Sequence, residues 1–338
     1  MPEVVPQRRP GGVAVNTDEL RAGGHDEPQP VSFPSRVLLP ALLRATRAQR
    51  LFGSRRVARR HLAAQALRPR AFGPPRLFMR RDVVVSVDRF NGWPVYTIQP
   101  AYTVKPAADP SSGAVVYLHG GAWVREIAPE HWRLCAQIAA EAQVAVIVPI
   151  YPLVPFGTAA EVMPIITQLV LQTRRTYGKT CLAGDSAGGQ MALSSAIDLR
   201  DKHGVSLAGT TLISPGLDLS LNNPDIDGVQ PHDPWLARDG TRVYVDHWRG
   251  ELPIDHPLVS PLFADMAGLG PVTVFCGTRD IVLPDTRLLV GKLTEAGVTV
   301  TYHEEAGLLH VYPLTPTREG RMARSRIVAE VAAAVGGE

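Results

Sequence analysis

Residues 180–190, TCLAGDSAGGQ, place one serine, Ser186, between two glycines, Gly184 and Gly188, each two positions away. The run before it is short and apolar, and the run after it, Ala187 to Leu199, repeats apolar residues at helical spacing. A strand that passes through such a serine straight into a helix must turn sharply, and small flanking residues let the two elements approach. The turn lifts a hydroxyl above the edge of a sheet and aims the free N–H groups of a helix N-terminus beside it. An ordinary glycine-rich turn is the competing reading. What the rest of the chain supplies decides between them.

Working outward, AVVYLHGG from Ala114, VAVIVPIY from Val144, AGTTLISP from Ala208 and PVTVFCGT from Pro271 are continuous apolar runs. That is the pattern of strands buried on both faces. Helical stretches separate most of them: Pro129 to Ala142, opened by a proline, Ala159 to Tyr177, and Asp285 to Ala296, with Gly297 placed to end it. The alternation predicts an α/β fold with a mostly parallel central sheet and helices on both faces. Asn91-Gly92, between two β-rich runs, predicts an antiparallel hairpin ahead of that sheet. Leu217 to Pro257, rich in Asp, Pro, Asn and Trp, breaks the rhythm and reads as an insertion.

A chain of 338 residues with 45% hydrophobic residues has room for one large domain and an appendage. Residues 1–35 are rich in Pro and Gly without a sustained period and read as a flexible tail. Residues 36–81 hold about a dozen arginines and no acidic residue, with apolar residues at roughly helical spacing. One or two short basic amphipathic helices, broken near Gly53, are expected there. Cys135, Cys181 and Cys276 are far apart in apolar runs, so they read as small hydrophobes outside any disulfide or metal set. With no apolar leader and no run near the ~20 residues needed to span a bilayer, the expectation is a soluble, cytoplasmic protein.

Three further features bear on Ser186. HGGAW, His119 to Trp123, closes the strand from Ala114 with a small-residue loop whose backbone N–H groups can point into a cleft. Asp280 stands just past an apolar strand, at the carboxyl edge where α/β sheets place their chemistry. Asp285 directly precedes a helical pattern and suits a cap better. His310 falls in a loop after the last strand, whereas its rival His303 lies within that strand. Each has a bland explanation alone. Together they follow the order Ser, Asp, His, each after a buried strand, and point to nucleophilic acyl chemistry.

These residues resemble the hormone-sensitive-lipase-like (bacterial family IV) carboxylesterases of the α/β-hydrolase fold, from about Asp82 to the C-terminus. The resemblance implies Ser186 as nucleophile, His310 as general base and acid, and Asp280 as orienting carboxylate. It implies an oxyanion hole from the backbone of Gly120, Gly121, Ala122 and Ala187, with His119, Gly184, Asp185 and Gly188 as motif residues. It further implies short- to medium-chain acyl esters as substrates, no metal or organic cofactor, and a helical cap from residues 36–81 and an insertion near 217–257. Three departures stand out: Ala122 where a third glycine is usual, PIYPLVPFGTAAEV in place of a D-Y-R-L-A-P-E-like segment, and Val311-Tyr312 after the histidine. A non-catalytic binding protein on this fold is the less favoured alternative, since all three triad positions are filled. The basic segment reads as the solvated outer face of a cap. A role at an anionic membrane surface, with acyl-lipid substrates, is less favoured, and no nucleic-acid module is present. The C-terminal stretch REGRMARSRIVAEVAAAV, as an exposed helix, or an edge strand is the candidate surface for a homodimer.

Overall fold

The computed structural model describes residues 30–67, 72–75, 80–101 and 113–336. Its strands are β1 (Val83–Phe90), β2 (Trp93–Pro100), β3 (Ala114–Leu118), β4 (Ala145–Pro149), β5 (Thr180–Asp185), β6 (Gly209–Ile213), β7 (Val272–Arg279) and β8 (Val300–Leu309). They form one sheet in the order β1-β2-β4-β3-β5-β6-β7-β8. The β1/β2 hairpin and the β2/β4 pair are antiparallel; every later pair is parallel. The hairpin turns at Asn91 and Gly92, both at positive φ, as the dipeptide predicts.

The chain runs from β3 to β4 on one side and then returns to place β5 on the other. This reversal opens a crevice at the carboxyl ends of β3 and β5, where open α/β sheets bind ligands. Strand side chains alternate between two cores: Ala114, Val116 and Leu118 face one, Val115 and Tyr117 the other. Both layers are apolar, which is why these strands read as unbroken hydrophobic runs.

Ten α-helices are described. Before the sheet come α1 (Leu39–Ala45), α2 (Arg50–Gly53) and α3 (Arg55–Ala66): the basic segment breaks at Ser54, next to the expected Gly53, and again over 46–49, giving three helices where one or two were expected. Within and after the sheet come α4 (Pro129–Ala142), α5 (Ala159–Tyr177), α6 (Ala187–His203), α7 (Ile226–Val229), α8 (Arg238–Arg249), α9 (Leu283–Glu295) and α10 (Arg318–Gly336). Helices α5, α6 and α9 pack on one face of the sheet, α4 and α10 on the other.

Three expectations need correction. Helix α9 begins at Leu283, so Asp285 sits inside its first turn and is no cap; buried there, it accepts a hydrogen bond from Asn223 Nδ2 at 2.7 Å. Helix α10 is only half exposed. It buries Ala323, Ile327 and Val331 in the core it shares with α4, leaving only its outer face free. The tail reading falls mostly outside the described residues, but its end is tied down. Glu319 of α10 accepts hydrogen bonds from the Ser32 N–H (2.7 Å), Ser32 Oγ (2.7 Å) and Ser35 Oγ (2.6 Å).

The N-terminal helices and residues 217–257, between β6 and β7, meet each other beside the crevice. Gln49 Nε2 donates to the carbonyls of Asp233 (2.8 Å) and Leu236 (3.1 Å), and Phe52 packs edge-on against Tyr244 with centroids 6.1 Å apart. This crossing is close because Gly240 has no Cβ: a methyl there would lie 2.5 Å from the Phe52 carbonyl oxygen. Gly240→Ala is therefore expected to cost about 1–3 kcal/mol in urea unfolding and to speed proteolysis within 34–66. Unchanged stability and proteolysis would contradict this packing.

Candidate active site

The corner after β5 is tight by construction. A Cβ at Gly184 would overlap the Gly188 carbonyl, and a Cβ at Gly188 would overlap the Leu118 carbonyl at the end of β3. Ser186 sits at φ 53°, ψ −117°, a conformation that costs a residue with a side chain about 1–3 kcal/mol. The backbone hydrogen bonds Ser186 N–H to Ile213 O (2.8 Å) and Gly216 N–H to Ser186 O (3.1 Å) hold it there.

Three side chains from separate strand ends converge on this point. His310 Nδ1 donates to Asp280 Oδ2 at 2.8 Å, and His310 Nε2 faces Ser186 Oγ at 2.9 Å. A carboxylate only accepts, so the proton sits on Nδ1 and Nε2 presents its lone pair to the serine hydroxyl. Asp280 and His310 are buried. His303, the rival, stacks on Phe275 inside β8, with centroids 4.5 Å apart, and burial pushes its pKa down to about 4.

Beside the serine, the loop after β3 curls back on itself. Gly121 (φ 123°), Ala122 (φ 53°) and Trp123 (φ 56°) are all at positive φ, and Arg125 N–H returns to Gly121 O at 3.0 Å. Ala122 thus adopts the left-handed region that a glycine would enter without strain. Gly120 departs from its expected role, because its N–H donates to Asp185 Oδ1 at 2.9 Å and is not free for an oxyanion. The N–H groups of Gly121, Ala122 and Ala187 have no acceptor among the described residues and border the same space as Ser186.

Asp185 organises that loop from below. Its carboxylate also accepts from Tyr117 Oη (2.8 Å) and from His131 Nε2 (3.2 Å). The His131 tautomer follows from its other nitrogen, since Nδ1 accepts the Ala128 N–H at 2.8 Å. Burial alone would raise the Asp185 pKa. His131 and the hydrogen bonds from His131, Tyr117 and Gly120 outweigh it and hold the carboxyl below its usual range. His119 lies behind the loop, stacked on Tyr151 with centroids 4.5 Å apart, and burial pushes its pKa down to about 4. It supports the loop and does not face the serine's histidine.

Several residues that shape the site carry no local sequence signal. Asp233, in the insertion, accepts the N–H groups of Trp235 (2.8 Å), Leu236 (2.9 Å) and Ile281 (3.1 Å), so it clips the insertion to the Asp280 loop. Burial and the nearby Asp280 charge push its pKa up to about 6. Trp235 meets the His310 ring edge-on, with centroids 5.8 Å apart. Ser214 Oγ accepts the Val311 N–H at 3.0 Å and so fixes the turn that carries His310. A serine-to-backbone contact across 97 residues is invisible to periodicity, and the positive φ of Ser214 appears only in the structure.

These groups open into a cavity of about 410 Å³, lined by Leu39, Leu43, Leu219, Leu221 and Leu314 among other apolar residues. Among the described residues no group of three or more His, Cys, Asp or Glu could hold a metal ion.

A family model described as alpha/beta hydrolase fold matches residues 115–314. LipR of Mycobacterium tuberculosis is 29% identical over 274 residues, covering 79% of this chain and 84% of that protein. An acetyl-hydrolase of Streptomyces hygroscopicus is 29% identical over 227 residues, covering 65% of this chain and 75% of that one. Among solved structures, an esterase from the bacterial hormone-sensitive lipase family is similar, with a TM-score of 0.73 at 23% identity. The match covers 91% of this chain and 100% of that chain, and it speaks to the fold.

If the corner depends on backbone contact at Gly188, Gly188→Ala should lose about 3 kcal/mol or more of stability, or fail to fold. Gly228→Ala, where an added methyl meets nothing within 4 Å, should change stability by less than about 0.5 kcal/mol. Equal effects in urea unfolding would refute the contact.

Proposed function

This chain belongs to the alpha/beta hydrolase fold family, and on that premise we propose that it hydrolyses carboxylic esters of short to medium acyl length through an acyl-enzyme on Ser186. The observation that carries this reading is the unbroken chain Asp280–His310–Ser186, at 2.8 and 2.9 Å, opening on an apolar cavity beside free backbone N–H groups. The names of relatives, acetyl-hydrolase and esterase, point the same way.

In this mechanism His310 Nε2 takes the Ser186 proton as Oγ attacks the ester carbonyl. Asp280 stabilises the imidazolium that results. The carbonyl oxygen, now negative, is held by the N–H groups of Gly121, Ala122 and Ala187, the last at the positive end of α6. The imidazolium then gives its proton to the departing alkoxide, leaving the acyl group on Ser186. Water attacks this second ester with His310 again as base, and the acid leaves. Every step uses groups of the protein itself.

A cavity walled by leucines suits an apolar acyl or alcohol group. Two of those leucines, Leu39 and Leu43, come from the N-terminal helices, while Trp235 and Leu236 come from the insertion. Segments 36–81 and 217–257 are accordingly read as the two parts of a cap over the site, 36–81 through its described residues.

Two outcomes test the mechanism. Ser186→Ala should stay folded and lose at least about 10⁴-fold in kcat on p-nitrophenyl butyrate, and retained turnover would remove Ser186 from the chemistry. The second is the pH profile. Burial lowers the His310 pKa, but the charge and hydrogen bond of Asp280, with Asp233 and Asp185 further off, outweigh it and raise it above 6.5. The base must be neutral to act, so kcat/KM should rise with pH through a midpoint above 6.5. Asp233→Asn removes a negative charge that favours the imidazolium, so it should move that midpoint down. An unmoved or raised midpoint would contradict the charge balance described here.

A further inference from the structure

Residues 32–49 form a short helical strap with two unlike faces. One face is seated: Ser35 and Pro40 are buried, and Leu39 and Leu43 line the active-site cavity. The other face is apolar and exposed. Phe33, Val37, Leu38 and Leu42 are 63%, 42%, 54% and 58% exposed, and within each pair, Phe33/Val37 and Leu38/Leu42, a four-residue spacing sets the two side by side. Scattered exposed apolar residues are ordinary; four large ones along about ten residues are not.

The strap is held at both ends. Glu319 binds Ser32 and Ser35, and although burial acts to raise its pKa, those hydrogen bonds hold it at about 2. At the far end Gln49 is bound to the insertion. The apolar face is therefore presented rigidly.

Its charge is equally one-sided. Arg36, Arg44, Arg47 and Arg50, interleaved in sequence with these residues or just beyond them, are exposed, as are Arg55, Arg56, Arg59 and Arg60 of α3. No acidic residue occurs from Arg36 to Arg81, in a chain whose net charge is only +3. Apolar side chains flanked by arginines fit one kind of partner. The apolar groups enter the boundary between headgroups and acyl chains, and guanidinium groups pair with anionic headgroups. A solvated outer face, the preferred sequence reading, accounts for the arginines and leaves the four exposed hydrophobes unexplained.

We propose that the face formed by Phe33, Val37, Leu38 and Leu42 with the surrounding arginines docks this protein on an anionic lipid surface, with the wall of the cavity on the opposite side of the same strap. This inference stands on surface geometry and does not require the esterase reading. Taken together, the two place the Ser186 cavity within reach of acyl esters held in that surface.

The test uses the full chain and sedimentation with vesicles of phosphatidylcholine alone or with about a third phosphatidylglycerol, at low and high salt. The wild type should sediment with the anionic vesicles at low salt, less at high salt, and poorly with phosphatidylcholine. Leu38→Asp/Leu42→Asp should keep the wild-type melting temperature and lose affinity by about tenfold or more. Arg44→Glu/Arg47→Glu should lose the salt-sensitive part. Wild-type protein that stays in the supernatant with anionic vesicles, or a Leu38→Asp/Leu42→Asp variant that binds as well as wild type, would overturn the proposal. So would self-association that the double aspartate abolishes without vesicle binding by the wild type, which would assign the face to a second copy. Turnover of soluble p-nitrophenyl butyrate, read in parallel, reports on the esterase reading independently.

Discussion

The contact between the backbone of α6 and the end of β3 governs the rest of the molecule. Gly188 lies so close to the Leu118 carbonyl that no side chain fits between them, and Gly184 meets Gly188 in the same way. These approaches draw the loop after β3 and the corner after β5 together at the point where the strand order reverses. Ser186 and the backbone of Gly121, Ala122 and Ala187 border one cavity as a result. Asp185 then fixes the spacing by binding Gly120 and Tyr117 from inside the corner. Strain at Ser186 and Ala122 is the cost of the arrangement, and the surrounding packing absorbs it.

Much of this is legible in the sequence because it is local or periodic. Buried parallel strands announce themselves as apolar runs, and the hairpin rests on Asn91-Gly92, which tolerate positive φ. The bounds of α4 and α5 follow from a proline at the start of one and the apolar period of both. Ser186, Asp280 and His310 are readable as candidates because each follows a buried strand in a fixed order. What is illegible is long-range. Nothing near Asp233 says that it will cap the Ile281 N–H 48 residues away, and nothing near Ser214 marks it as the support for Val311. The Gly120 N–H looks like an oxyanion donor until Asp185 is seen to occupy it. The C-terminal helix reads as exposed, yet its inner face buries Ala323, Ile327, Val328 and Val331 in the core that α4 shares.

The N-terminal strap joins two surfaces that are usually considered apart. Its inner leucines help shape the cavity, while its outer residues face solvent with an excess of positive charge. Asp233 ties the insertion to the Asp280 loop, and Gln49 ties the strap to the insertion. A continuous set of contacts therefore runs from the strap to the carboxylate that orients His310. Residues that line the cavity and the carboxylate bonded to His310 therefore share one framework.

The central claim is that one serine, activated by one histidine, is the reacting group of this cavity. Covalent trapping addresses it most directly: incubate the protein with an aryl dialkyl phosphate, digest it, and locate the adduct by mass spectrometry. The account predicts a single dialkylphosphoryl group on the peptide containing Ser186, formed far more slowly once His310 is replaced by alanine. An adduct elsewhere, or labelling at an undiminished rate without the imidazole, would contradict it.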